Sequence, residues 1–359
     1  MSRCIAGLIC LAALTLSGCA RQSTPPAPQV AQQEPLYPVS MYHLYGYINR
    51  AGKLVIKPRY AHAWDFHEGL ARIMLHGCCG YIDTTGKIVI QPRFPEASDF
   101  SEGLAAIGYS GVQRGYSDTS GREVIPARFA WASDFRGGLA AVRTASWLGH
   151  AGNMGYIDRA GRFVIKPRFD RAEDFSEGLA AVLVNGKWGY VNKKGDFAIK
   201  PRFEDRHAEE VALPFSEGLA PVNVAGKWGY IDGAGATVIP PRFDLAFPFS
   251  EGLAIVVAAD KMGYIDRAGK FAVKPRRWRV GFFSEGLATV DVWSRDDFSD
   301  SKCGYLDRAG KMVIEPRFCE GCEFRDGLAW VMVKERQGVR YNAYIDRTGK
   351  YVWGPYPGD

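Results

Sequence analysis

Short runs of alternating apolar and polar positions fill most of this chain, and the runs return at a steady interval. Gly189-Tyr190-Val191-Asn192 is one run, and Asp196 to Lys200 is the next. Lys193-Lys194-Gly195 lies between them, with an amide side chain before it and a glycine for the positive-φ corner, which is the chemistry of a bulged hairpin. Pro201 has no N–H to give a ladder and ends the return strand. Phe215-Ser216-Glu217-Gly218 predicts a second turn and Leu219 to Val224 a third strand. Ala225-Gly226-Lys227 then closes a hairpin onto Trp228-Gly229-Tyr230. Phe163 and Ile165 alternate with Val164, so both faces of that return strand are apolar. No stretch carries the 3.6-residue stripe of a helix. The pattern predicts three antiparallel strands per unit and an all-β fold.

The unit recurs along the chain. Phe-Ser-Glu-Gly-Leu-Ala stands intact at Phe100 to Ala105, Phe175 to Ala180, Phe215 to Ala220, Phe249 to Ala254 and Phe283 to Ala288. Looser copies begin at Phe66, Phe135 and Phe324. Between them runs Gly-Tyr-Ile-Asp-x-x-Gly-x-x-x-Ile-x-Pro-Arg-Phe, clearest from Gly155 to Phe169. The Gly-Tyr pairs at Gly46, Gly80, Gly115, Gly155, Gly189, Gly229, Gly263 and Gly304 are spaced by 34 to 41 residues. A period in that range marks a repeat architecture, whose units cannot bury their apolar faces alone. The small Ala-Ala pairs after Leu104 and Leu179 suit close approach of neighbouring sheets.

An open, twisted β array (a solenoid) of eight units plus a C-terminal half-unit is expected over residues 41–359. An eight-bladed β-propeller is the alternative. Two features favour the open array. The units show three strands where a propeller blade has four, and the surplus hairpin at Ala343-Tyr344-Ile345-Asp346 reads as a cap. Extra residues collect at Ser146 to Gly152, Trp293 to Lys302, Glu335 to Arg340 and Arg206 to Leu213, which predicts two variable rims.

The N-terminus reads differently. Arg3, the apolar Ile5 to Leu14 and Leu16-Ser17-Gly18 before Cys19 form a signal segment over residues 1–18. The apolar run is shorter than the about 20 residues of a membrane span. The ending resembles the lipobox of bacterial lipoproteins, in which the Cys is lipidated and becomes the new N-terminus. That resemblance implies a lipid anchor on Cys19 in a bacterial cell envelope, and Ala20 implies the outer membrane, facing the periplasm. Residues 19–40, with five prolines among Gln, Ala, Ser and Thr, read as an extended tether.

The residues of the body resemble the WG-repeat (KWG-repeat) family of bacterial β repeats. Lys187-Trp188-Gly189-Tyr190 and Lys227-Trp228-Gly229-Tyr230 carry the motif directly. The Trp gives way to Cys79, Met154, Met262 and Cys303 elsewhere, and Gly115 follows Arg114, so Trp reads as a packing choice. The resemblance implies a non-enzymatic interaction role.

Candidate chemistry is sparse. Arg recurs after Pro (Arg59, Arg93, Arg168, Arg202, Arg242, Arg317) and Glu recurs in the Ser-Glu-Gly turn (Glu102, Glu177, Glu217, Glu251, Glu285). A structural Arg–Glu pair in every unit is expected, against a charged groove for an acidic or glycan partner. Asp83, Asp158, Asp266 and Asp307 read as turn formers. His62, His67, His76, Cys78 and Cys79 are weak candidates for a metal site, because their spacing fits no zinc ribbon or finger. Cys319-Glu320-Gly321-Cys322 is a candidate disulfide, with Cys303 as a competitor. Of eight cysteines, five lie beyond Cys19, so complete pairing is impossible. The net charge of +6 is spread through the repeats with no basic run, which argues against nucleic acid. No cofactor motif, phosphate-cradling loop or nucleophile elbow is present.

The sequence therefore predicts a non-catalytic, lipid-anchored envelope protein that presents an interaction surface to a protein partner. Trp147, Trp293 and Trp330 are candidate contacts. The alternatives are a peptidoglycan- or glycan-binding module and an immunity lipoprotein against a secreted toxin.

Overall fold

Hairpin chemistry dictates the local structure, and the Lys187–Asn192 strand shows how. It pairs with Leu179–Val184 on one side and Phe197–Phe203 on the other. The corner between the last two is an Asx turn: Asn192 Oδ1 accepts from the N–H groups of Lys194 (2.9 Å) and Asp196 (3.0 Å). Asp83, Asp158, Asp266 and Asp307 make the same turn and are turn formers, as expected. The register slips beyond the corner. Trp188 faces Phe203 and Tyr190 faces Ile199, so Gly189 alone opposes a three-residue bulge. A Cβ on Gly189 would sit 2.7 Å from the Ile199 carbonyl oxygen and the Pro201 nitrogen. The Gly of the Trp-Gly motif is therefore obligatory, while the Trp is one of several side chains that fill the space beside it.

The computed structural model describes residues 34–109, 113–144, 152–204, 212–294, 297–334 and 340–357, with the side chains of 293–300 and 355–357 left out. The signal segment, Cys19 and most of the tether lie outside the described residues. The compact repeat body begins at Glu34. It is all-β, as expected: a tandem array of small antiparallel sheets, most of three or four strands. One sheet has seven strands because Glu123–Ala132 serves two successive units. Counting that sheet as two, the described body has nine units.

Three details revise the sequence reading. A complete unit has four strands, because a lead segment such as Arg171–Ala172 precedes the apolar strand and pairs with it. The chain enters the fold at β1 (Leu36–Met41), which pairs with β2 (Leu44–Asn49), itself paired with β3 (Leu54–Tyr60). Residues 36–40, assigned to the tether on their prolines, thus belong to the first sheet. The C-terminal hairpin is also no half-unit, since Leu328–Lys334, Arg340–Asp346 and Tyr351–Pro357 complete a four-stranded ninth sheet with Glu320–Gly321.

Each sequence repeat begins on the Gly-Tyr strand of one sheet and ends on the apolar strand of the next. The core follows that offset. Tyr190, Ile199 and Phe203 of one sheet are buried with Phe215, Ala220 and Val222 of its successor. The Tyr hydroxyl crosses the same boundary: Tyr156 donates to the Glu173 carbonyl (2.7 Å) and Tyr190 to that of Leu213 (2.8 Å). Its ring meets the Phe of the next turn at 4.7 Å between centroids for Tyr156–Phe175 and 4.9 Å for Tyr190–Phe215.

The same contacts join the two ends. Tyr37, Val39 and Ile48 of the first sheet are buried with Leu328, Tyr344 and Trp353 of the ninth. Tyr344 donates to the Pro38 carbonyl at 2.9 Å, and Tyr37 donates to the Asp326 carbonyl at 2.8 Å. The array therefore returns to its own start, which is the closure weighed as the alternative, with nine sheets in place of eight.

Candidate functional site

The recurring charged residues hold sheets together, though not by pairing with each other. Arg59, Arg128 and Arg202 donate to the carbonyls of Gly86 (2.5 Å), Gly161 (2.6 Å) and Gly235 (2.5 Å) in the next unit. Arg93, Arg168, Arg242 and Arg317 do the same to Gly121, Gly195, Gly269 and Gly349. Each guanidinium also lies over the ring beside it, 4.9 Å from the Phe203 centroid in the case of Arg202. The Glu carboxylates accept from the next turn: Glu177 from Gly218 N–H (2.8 Å), Glu217 from Gly252 (3.0 Å) and Glu251 from Gly286 (2.9 Å). The expected Arg–Glu pair is thus replaced by two separate ladders to backbone. Serine adds a third, as Ser216 donates to Phe249 O at 2.7 Å and Ser250 to Phe283 O at 2.7 Å.

These ladders are interrupted where the ninth sheet meets the first. In the eight other sheets Leu-Ala or its equivalent opens the apolar strand, whereas β1 reads Leu36-Tyr37-Pro38-Val39. Tyr37 takes the space that the turn Phe fills elsewhere, with its ring 5.6 Å from that of Tyr344. Burial, helped by the Asp326 charge, pushes the Tyr37 hydroxyl up to about 12. Among the described residues no Phe-Ser-Glu-Gly turn precedes β1. Asp326, which stands where Glu clamps the following turn, has none to hold. Arg325, in the serine position, reaches past the first sheet to pair with Asp65 of the second.

A cavity of about 790 Å³ opens at this seam. Tyr37, Pro38 and Tyr45 of the first sheet line it, with Trp330 and Tyr344 of the ninth, and Asp65, Glu285, Glu323 and Asp326 make its rim acidic. The volume lies in the 300–1,000 Å³ range of ligand clefts. Its aromatic walls and acidic rim suit binding. Burial, followed by the Glu323 charge, raises the Cys322 thiol there above its ordinary range.

The residues singled out from sequence fare unevenly. Trp330 is half-buried in the seam. Trp147 and the Trp293 side chain, like Cys19, lie outside the described residues. His62, His67, His76, Cys78 and Cys79 share the second sheet but do not converge. His62 stacks between Tyr45 and Trp64, His67 sits 3.7 Å from Asp99, and His76 is at a hairpin tip. Cys78 and Cys79 are neighbours on one strand and point to opposite faces. Among the described residues no three His, Cys, Asp or Glu side chains form a metal-holding group. The expected disulfide is absent, and Cys319, Cys322 and Cys303 are free thiols. Cys319 and Cys322 flank the extended Glu320–Gly321, and three extended steps of about 3.3 Å separate their Cα atoms by more than the about 7 Å a disulfide can bridge. The sequence reading missed Tyr37. The signal for it is the match of Leu36-Tyr37-Pro38-Val39 to Leu219-Ala220-Pro221-Val222.

The class is thus an all-β tandem-repeat protein whose units lock onto one another's backbone. WG containing repeats match residues 45–77, 80–111, 115–145, 154–188, 188–228, 228–261, 262–292 and 304–336, and the chain belongs to that family. Each matched repeat runs from a Gly-Tyr strand to the next sheet's apolar strand. No curated protein matches the chain. Solved structures similar to it include the computationally designed Ika8 protein, at 12% identity and TM-score 0.49, over 78% of this chain and 94% of that one. A eukaryotic initiation factor is similar at 12% identity and TM-score 0.42, over 89% of this chain and 88% of that one. Hsv2p of Kluyveromyces lactis is similar at 9% identity and TM-score 0.40, over 79% and 96%.

Proposed function

We propose that this chain is a lipid-anchored cell-envelope protein whose repeat body binds a protein partner without turnover, and that the seam is its principal contact. One observation carries the reading. The repeated Arg, Glu and Ser side chains are engaged with neighbouring backbone, and the place where the pattern breaks is a cavity with aromatic walls and an acidic rim. Trp330, half-buried there, is the aromatic best placed to meet a partner. The glycan reading loses its motive, because the Arg and Glu residues that suggested it are committed within the fold. A lipid on Cys19 would confine the body to a membrane surface, where linkage raises the effective concentration of a second binding event.

Crosslinking of the Cys19-anchored protein in its native envelope, followed by capture, tests the role. A discrete crosslinked protein that disappears on Trp330→Ala is expected. Recovery of no protein under several growth conditions would contradict the role.

A further inference from the structure

Eight sheets of this molecule show what the first one lacks among the described residues. In each, a lead segment runs along the apolar strand; seven set Ala or Gly opposite a Val or Ile, and the eighth sheet sets Val280 opposite Val290. Ala172 faces Val182, Ala246 faces Val256, and Gly321 faces Val331. The segment is also bonded to that strand, as Glu173 N–H donates to the Ala181 carbonyl at 2.9 Å. Val39 stands at the equivalent register of β1, which is the end strand of a three-stranded sheet.

Tyr344 records the same difference. Its counterpart Tyr156 stops at the Glu173 carbonyl of a lead segment, whereas the Tyr344 hydroxyl reaches one strand further, to Pro38. Pro38 O is the carbonyl to which a lead-segment N–H would donate. The cavity lies against it.

Charge narrows the occupant. Of the acids on the rim, Asp65 is paired with Arg325, and Glu285 accepts from Gly327 N–H at 3.0 Å. Glu323 and Asp326 are exposed and face the same opening. A basic side chain beside the small one would meet both.

We propose that the seam is a docking slot for an extended segment of a partner protein, which adds to β1 as the fourth strand of the first sheet and carries a small apolar residue (Gly, Ala or Val) next to a basic one. Strand addition of this kind takes affinity from main-chain hydrogen bonds and specificity from the pockets beside them. The slot rests on the reading of the chain as an interaction protein and supplies the partner's chemistry.

The molecule provides its own probe, the lead segment of the eighth sheet, Trp278 to Gly286, in which Arg279 and Val280 face Asp291 and Val290. A capped synthetic nonapeptide of that sequence, labelled for fluorescence anisotropy, is titrated with the full chain, and hydrogen exchange locates it. Saturable binding with slowed exchange over Leu36–Met41 is expected. A peptide with Gly281→Pro, which lacks the N–H that donates to the Thr289 carbonyl in the eighth sheet, should bind at least tenfold more weakly. Glu323→Lys and Asp326→Lys in the protein should each weaken the parent peptide by a similar factor. Equal binding of the proline peptide, no saturable binding, or protection confined to another sheet overturns the slot. Peptide binding with no captured envelope protein leaves the slot standing and removes the role, whereas the converse result removes the slot alone.

Discussion

Two glycine-bearing motifs show how tightly single residues constrain this fold. Gly189 opposes a bulge in which a Cβ would approach the Ile199 oxygen to 2.7 Å, and Gly229, Gly263 and Gly304 meet the same geometry. The ninth sheet is the exception that explains the rule. Ala343 replaces the Gly, and Gly354 appears on the facing strand at φ 74, so the same close approach is relieved from the other side. We expect Gly189→Ala to destabilise the protein by about 2–4 kcal/mol, the range of overpacked or strained core sites. Trp188→Met should cost about 1–2 kcal/mol, because Met154 and Met262 already fill that position. Urea unfolding of both variants checks the order.

The turn aspartates add a pH term. Side-chain hydrogen bonding from Ser120, with backbone donors, holds the Asp118 carboxyl below its ordinary 3.8. A carboxylate depressed in the folded state stabilises above its unfolded pKa, and that contribution is lost as pH falls through the folded value. Asp118→Asn, which copies the amide found at Asn192, should fold normally at neutral pH and lose stability less steeply below about pH 4. Thermal unfolding from pH 7 to 3 measures both; an unchanged acid limb would count against the turn as its source.

Elements depend on their neighbours more than on themselves, and this decided what was legible in the sequence. The hairpins read correctly because Asp-x-x-Gly and Phe-Ser-Glu-Gly carry their own turn chemistry within a few residues. Lead segments such as Glu96–Ala97 are two residues long, too short for any alternation to register. The partners of Arg202 and Glu217 were illegible for another reason, since both are backbone groups about 33 to 35 residues on, and sequence shows no preference for a carbonyl or an N–H. β1 was hidden by Pro38, whose missing N–H counts against a strand; Pro221 occupies the same place in the sixth sheet, with only its carbonyl used.

The Glu clamp is the element-scale device with the sharpest test. Glu217 has φ 53, a left-handed conformation that a non-glycine side chain adopts at some cost, and its carboxylate spans the boundary to Gly252. Glu217→Ala removes the clamp and keeps the strain, so a loss of about 1–2 kcal/mol is expected. Glu217→Gly removes both and should lose less. Calorimetry ranks them: an Ala variant as stable as the parent would remove the clamp, and a Gly variant less stable than the Ala variant would remove the strain.

At the scale of the whole body, an offset between sequence repeat and sheet makes every unit a shared one. A repeat such as residues 188–228 supplies two strands to one sheet and the apolar strand to the next, so no repeat can fold by completing its own sheet. Closure removes the penalty that an open stack suffers at its ends, and Tyr37 performs it with a side chain in place of a whole turn. The site was less legible than the fold. Trp330 was named from the sequence as an aromatic contact, while the seam around it turns on the one position where Tyr stands for Ala, legible only once Leu36-Tyr37-Pro38-Val39 is set against Leu219-Ala220-Pro221-Val222.

Hydrogen exchange on Tyr37→Ala tests closure most directly. Truncating a buried aromatic should cost about 3–5 kcal/mol. If the array is joined end to end, protection falls together in β1 and β2 and in the ninth-sheet strands Leu328–Lys334 and Arg340–Asp346, nearly 300 residues away in sequence. Loss confined to the first hairpin, with the ninth sheet exchanging at its original rate, would contradict it.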